Sequence, residues 1–335
     1  MMYAKLDKLR QWRGIRVVVF GDSLVYGYTM GEHGDADWRA HTLSRKLERI
    51  LQQSYPGQPV KVLNIGLNGA VPADLEQVAR LSLATRPHLV VFDTALRSFS
   101  EDFAKGSDQF SRPWLQTLKI SNVGRYVEEP AQGGLGSRIE AVLKSAAVNA
   151  SATVELRDLI QSAVFDGKPR EALTRLHSRT NAWLKRGVAD SGDDLLNDPV
   201  LTLLLQSKHR YESINLDPEN PQRQALERTL VVLGEAKQPA VLFYGKENPV
   251  LVRQVIAPER YRVLRDEFDA LVARHARDTF AYVPPIERLA PRQYLDIVHV
   301  NTDGYEIYAD EIAKAAVKVL GLPDRQSSSP SLSTK

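Results

Sequence analysis

Residues 15–28 read IRVVVFGDSLVYGY. The opening six are apolar or β-branched apart from Arg16, and Gly14 and Gly21 bound them. Such a run predicts a buried strand. It stops on Gly21-Asp22-Ser23: a small residue, an acid and a hydroxyl. Outward from it, 41–55 (HTLSRKLERILQQSY) carries apolar residues at helical spacing and ends before Pro56-Gly57. Residues 60–66 (VKVLNIG) predict a second strand, 73–86 a helix ended by Pro87, and 88–93 (HLVVFD) a third strand. This β-α-β-α-β rhythm predicts a doubly wound α/β fold, a mainly parallel sheet with helices on both faces. Functional groups in such sheets collect at the carboxyl ends of the strands. Here those ends read GDS, NIGLNG and DTALR.

The same pattern returns late in the chain. Residues 239–245 (PAVLFYG) and 279–285 (TFAYVPP) predict strands, and 258–276 an amphipathic helix. Residues 301–322 predict a closing helix with Ile307, Ile312, Ala316 and Leu320 on its apolar stripe. Between the halves, 100–134 is irregular and 136–235 mainly helical, with breaks at 167–169, 189–194 and 216–222. A doubly wound sheet does not need that much chain between its third and fourth strands. The expected organisation is a first part of the core at 1–99, an inserted, mainly helical subdomain or lid at 100–238, a second part of the core at 239–322, and a polar, serine-rich disordered tail at 323–335.

Composition narrows the function classes. Hydrophobic residues make up 43% of the 335 and charged residues 25%, ordinary proportions for a globular protein. The absence of cysteine removes thiol nucleophiles, thiolate metal sites and disulfides. The net charge of +3 comes from scattered rather than clustered basic residues, which argues against nucleic-acid binding. No apolar run approaches the ~20 residues that span a bilayer. The opening segment MMYAKLDKLRQWRG has no apolar signal region. The expectation is a cytoplasmic protein as the sequence is written, and an exported or membrane-associated one if a signal or anchor has been trimmed. His41, His88, His177, His209 and His275 show no metal-ligand spacing, so no metal or other cofactor is expected. The oligomeric state is not legible.

A serine on the turn after a buried strand holds its hydroxyl at the sheet edge, but it is a poor nucleophile without a base in reach. The best candidate is His299, in YLDIVHVNTDGY, with Asp296 three residues before it. An acid so placed can accept the Nδ1 proton and leave Nε2 free to take one from a hydroxyl. Each motif also has a plain reading: Gly-Asp-Ser as a turn with Asp22 capping the next helix, Asp-x-x-His as an ordinary loop. Their joint occurrence, one after the first strand and one before the last helix, is far more specific. Other residues stay open between two readings. His33 rims the mouth or is a loop residue. Asp93 ends the third strand as a turn or cap. Lys246 and Asn248 touch substrate or make the turn before Pro249.

These motifs resemble those of the GDSL, or SGNH, hydrolase family. VVVFGDSLVYGY is similar to its first motif, VLNIGLNGAVPADL to its second and DIVHVNTDGYEIYADEI to its last, over residues 15–98 and 239–320. The resemblance implies a flavodoxin-like three-layer α/β/α core. It implies Ser23 as nucleophile and first oxyanion donor, His299 as general base and acid, and Asp296 as its orienting acid. Gly69 would be the second donor, with Gly66 a weaker candidate. The family's third motif ends in Asn, where this chain has Arg97. Arg97 would then be a third donor or an anion contact, or else a surface residue beside a two-donor hole. The implied activity is a serine esterase acting on a small acyl ester, such as an acylated carbohydrate. An O-acyltransferase on a cell-envelope or exopolysaccharide glycan uses the same residues. A non-catalytic glycan- or partner-binding protein on a degenerate scaffold is the rival from another class.

Overall fold

The structure is a computed structural model and describes residues 2–101 and 208–321, with side chains from residue 5 onward in the first stretch. Five strands form one sheet: β1 (Ile15–Gly21), β2 (Val60–Gly66), β3 (Leu89–Thr94), β4 (Ala240–Tyr244) and β5 (Phe280–Val283). Their order is β2-β1-β3-β4-β5 and every pairing is parallel. This is the flavodoxin-like order 2-1-3-4-5, and the chain reverses its direction of travel across the sheet between β1 and β3. Ligands of such sheets bind in the crevice at that switch point, past the carboxyl ends. Gly21 at the end of β1 stands in register with Gly66 at the end of β2.

Alternation along β1 explains the two helical layers. Ile15, Val17 and Val19 point into one core with Leu43, Leu47 and Leu51 of the helix Leu43–Ser54. Tyr305, Ile312 and Ala316 of the closing helix Thr302–Leu320 join them. Val18 and Phe20 point the other way. There Phe20 stacks on Phe92 with ring centroids 5.3 Å apart, and Tyr244 meets Phe268 of the helix Pro258–Ala273 edge-on at 5.6 Å. Strands buried on both faces need continuous apolar runs, which β1, β3 and β4 have.

One boundary differs from the sequence reading. The helix Pro221–Glu235, expected within the insertion, packs against the helix Pro72–Leu83 of the core. Gln222 accepts from Ala73 N–H at 3.1 Å, and Arg228 donates to Glu76 at 3.0 Å. Its apolar stripe, Ala225, Leu226, Leu230 and Leu233, is buried. Periodicity announces such a helix without saying which surface it covers. The rest of the expected insertion, from 102 to 207, lies outside the described residues, as does the tail from 322. Among the described residues, no helix is long and apolar enough to cross a membrane.

Candidate active site

Past Gly21 the chain turns into the four-residue helix Ser23–Tyr26. Asp22 caps it, its Oδ1 accepting from Leu24 N–H at 2.7 Å. The turn is tight because Gly21 has no side chain. A Cβ there would stand 1.9 Å from an Asp93 carboxylate oxygen and 2.5 Å from Val25. Asp93, at the end of β3, accepts from Asp22 N–H at 3.0 Å. Ser23 is thereby set at the β1/β3 switch point with its N–H donating to no protein acceptor among the described residues.

The second half of the site comes from the loop before the closing helix. An isolated bridge between Tyr294 and Val300 closes that loop, and Leu295 N–H donates to His299 O at 2.8 Å. Inside it, Asp296 Oδ1 accepts from Val298 N–H at 2.8 Å and His299 N–H at 2.7 Å. Asp296 Oδ2 meets His299 Nδ1 at 2.6 Å. On the far side of the imidazole, Nε2 meets Ser23 Oγ at 2.8 Å. Burial alone would raise the Asp296 carboxyl. The hydrogen bonds and charge of His299, with the two backbone N–H groups, outweigh it and hold the pKa down at about 2. The carboxylate therefore stays ionised and favours the Nδ1–H tautomer, in which the Nε2 lone pair faces Ser23 Oγ.

The loop is braced from behind. Asn248 N–H donates to Ile297 O at 2.8 Å, and Tyr294 OH donates to Lys246 O at 3.1 Å. Lys246 is itself buried, with Nζ on Ile286 O at 2.9 Å, and Asn248 Oδ1 accepts from Val250 N–H at 3.0 Å. Of the two readings for Lys246 and Asn248, the structure has the turn and adds support for the Asp-His loop. Tyr305 of the closing helix donates to Leu24 O at 2.6 Å and pins the helix Ser23–Tyr26 to it.

The glycine loop after β2 follows the same edge. Leu67 N–H donates to Gly21 O at 2.8 Å. Gly66 N–H is taken by Asn64 Oδ1 at 2.7 Å, so of the two glycines it is not the free donor. Gly69 has φ of 71°, a left-handed value that favours glycine, and its N–H donates to no protein acceptor among the described residues. Asn64 also donates to Val25 O at 2.8 Å, tying β2 to the helix Ser23–Tyr26. Sequence reading did not single it out, although a polar residue inside VKVLNIG was the available signal.

Arg97 departs from its surface reading. It is 6% exposed and pairs with Asp22, which is 3% exposed. Burial works against its charge, and the surrounding acids, Asp22 first, outweigh that and keep it protonated. Its Nη1 is buried, with no hydrogen-bond partner among the described residues. Asp93 is pushed up towards its neutral form, by burial first and then by the charge of Asp22. His33 is an exposed loop residue whose Nδ1 donates to Thr29 O at 2.9 Å. A second carboxylate-imidazole pair went unread in the sequence: His41 Nδ1 meets Asp35 Oδ2 at 2.6 Å. Among the described residues, no group of three or more His, Asp or Glu is placed to hold a metal ion.

No protein-family model matches the chain, and no curated protein matches it. Solved structures do. One is LAE5, an alpha/beta hydrolase enzyme from the metagenome of Lake Arreo, Spain, at 12% identity and TM-score 0.42, over 93% of this chain and 99% of that one. Another is a catalytic mutant of Axe2, an acetylxylan esterase from Geobacillus stearothermophilus, at 11% identity and TM-score 0.41, over 90% of this chain and 93% of that one. A third is a G-D-S-L family protein from Desulfitobacterium hafniense DCB-2, at 10% identity and TM-score 0.37, over 89% of this chain and 98% of that one. Identities and scores of this size do not carry a role from those proteins to this chain.

Proposed function

We propose that the chain is a serine ester hydrolase that cleaves a small acyl ester, with the ester carried on a carbohydrate hydroxyl. The observation that carries this reading is the 2.8 Å contact between Ser23 Oγ and His299 Nε2, with Asp296 on the opposite ring nitrogen. A serine hydroxyl, an imidazole and a carboxylate in that sequence of contacts are what nucleophilic acyl transfer requires.

The steps follow from the atoms. Ser23 Oγ attacks the ester carbonyl carbon as its proton passes to His299 Nε2. The imidazolium is stabilised by the Asp296 carboxylate. The carbonyl oxygen becomes an oxyanion, and the N–H groups of Ser23 and Gly69 are the available donors at this edge. Each such donor is worth ~2.7–4 kcal/mol of barrier reduction. The tetrahedral intermediate collapses, and His299 returns the proton to the departing alkoxide. Water repeats the sequence on the acyl-serine and releases the acid. A second alcohol in place of water would make the last step a transfer.

A fluorophosphonate probe is expected to label the wild type once, at Ser23. Ser23→Ala is expected to lose labelling and to lower kcat on p-nitrophenyl acetate by ~10⁶-fold. A folded wild-type protein that takes no label and turns over no ester would leave the non-catalytic reading standing.

A further inference from the structure

Three aromatic rings stand together immediately beyond the nucleophile. Ser23 and Tyr26 are the first and last residues of one helical turn, so they share a face, with Cβ atoms roughly 5–6 Å apart. Tyr26 stacks on Tyr28 with centroids 6.0 Å apart, and Trp38 meets both edge-on, at 5.9 and 5.5 Å. Tyr26 is 39% exposed and Tyr28 40%, among the few large apolar side chains so exposed in the described residues. Trp38 lies against the backbone of Gly31, where a Cβ would come within 2.6 Å of its ring, and Arg39 covers it at 4.6 Å.

The cluster is anchored on both sides of the reaction centre. The backbone of Tyr26 lies against Gly66, where an added Cβ would stand 2.2 Å from Tyr26 N, so the root of the first side chain borders the end of β2 from which the Gly69 loop departs. The segment between Tyr28 and Trp38 reaches the other side. There Thr302, three residues past His299, donates to Asp35 at 3.5 Å and to Met30 Sδ at 3.8 Å. The segment that bears the rings thus begins on the helix of Ser23 and is tied to the helix that follows His299. Trp38 packs against the core, but the two tyrosines do not bury with it: two-fifths exposed, they cost free energy in solvent that an internal position would recover.

We propose that Tyr26, Tyr28 and Trp38 form a shelf that seats a sugar ring of the substrate, with its ester carbonyl delivered to Ser23. This deepens the hydrolase reading above and rests on it. A pyranose has an apolar C–H face that covers an aromatic ring and hydroxyls around its rim that need polar partners. The shelf supplies the first, and the exposed Glu32, Asp37 and Arg39 around it supply the second. A fatty acyl chain would strip water from those charges without replacing it, which is unfavourable.

Two measurements test this. The first compares kcat/KM on glucose pentaacetate with that on p-nitrophenyl acetate. Tyr28→Ala is expected to lower the ratio by about tenfold, mainly through KM, and Tyr28→Phe to restore it, because a single aromatic face contributes on the order of 1 kcal/mol. An unchanged ratio in a folded Tyr28→Ala protein overturns the proposal. So does a loss confined to p-nitrophenyl octanoate, which would assign the shelf to an acyl chain. The second measurement needs no turnover: calorimetric titration of xylotetraose into Ser23→Ala. Binding weakened about tenfold by adding Tyr28→Ala is the expected result, and no binding overturns the shelf. If the wild type takes no fluorophosphonate label while xylotetraose still binds through Tyr28, the hydrolase reading fails and the shelf survives.

Discussion

Two carboxylate-imidazole pairs lie on the same edge of this molecule, and their short contacts are equal. His299 meets Asp296 at 2.6 Å, and His41 meets Asp35 at 2.6 Å. What surrounds them is not equal. The His299 side chain is 16% exposed, and its second nitrogen is on a serine hydroxyl. That of His41 is 40% exposed, with no hydrogen bond to its second nitrogen among the described residues. Asp296 carries two backbone N–H groups on its other oxygen, donated from inside its own loop. Asp35 carries one, from Asp37 at 2.9 Å, and a long contact from Thr302. The contact alone therefore does not tell the two pairs apart. A carboxylate held by two loop N–H groups, a more buried imidazole and a third group in line are what separate them.

The sharpest way to break this comparison is to remove the charge from one pair and keep its shape. Asp296→Asn leaves the loop donors in place but cannot hold the Nδ1 proton in the same way. It is expected to lower kcat by about 10⁴-fold, with little change in KM, because the wrong tautomer faces Ser23. Steady-state kinetics on p-nitrophenyl acetate reads it, with fluorophosphonate labelling slowed in parallel. A loss of less than tenfold would reduce Asp296 to a loop-forming residue and bring the two pairs level.

The next largest effect lies beneath Ser23. Arg97 and Asp22 are a buried ion pair, and Asp22 also caps the helix that bears Ser23. Arg97→Met would leave a buried carboxylate without its counter-charge, at an expected cost of about 3–5 kcal/mol in urea unfolding. Asp22→Asn combined with Arg97→Met is expected to recover part of that loss, since neither charge then remains. A single variant that costs less than about 1 kcal/mol would mean that the pair does not hold the turn.

How much of this was readable in advance follows from how local each feature is. The strands were legible as short apolar runs and the long helices by their period, and β1 to β5 fall within a residue or two of the runs that announced them. Asp296 and His299 were legible because one short loop builds their contact, so the spacing carries the geometry. Ser23 was legible as the abrupt polar end of a buried strand. Arg97 stayed open between an oxyanion donor and a surface residue, because its place depends on Asp22, 75 residues earlier. Its flanking Leu96 and Phe99, both fully buried, were the signal. The Asp35–His41 pair was missed because nothing periodic spans a five-residue gap inside an irregular segment. The helix Pro221–Glu235 was recognised as helical and misplaced, since amphipathicity does not name the surface it covers.

A smaller effect sharpens the comparison through pH. Asp296 has a folded pKa of about 2 against an ordinary 3.8, so it is depressed. Its contribution to stability is fully present above the unfolded value and is lost as pH falls from about 4 through 2. The size implied is about 2 kcal/mol. Unfolding free energies of wild type and Asp296→Asn, measured from pH 5 downward, should converge over that interval. Parallel curves would place the stabilisation elsewhere.

The smallest expected effect is the most discriminating. Asp35 is also lowered, chiefly by its hydrogen bond to His41, but His41 is the more exposed imidazole and its second nitrogen has no hydrogen bond among the described residues. His41→Gln keeps a hydrogen-bond donor near Asp35 and removes the imidazole. kcat on p-nitrophenyl acetate is expected to stay within about twofold of wild type, the range of a solvent-facing pair, and its pH profile to keep its shape. A hundredfold loss, or a new limb in the pH profile, would mean that the second imidazole also moves a proton during turnover. The chemistry would then need both pairs, and equal contact distances would have been the better guide than the environments around them.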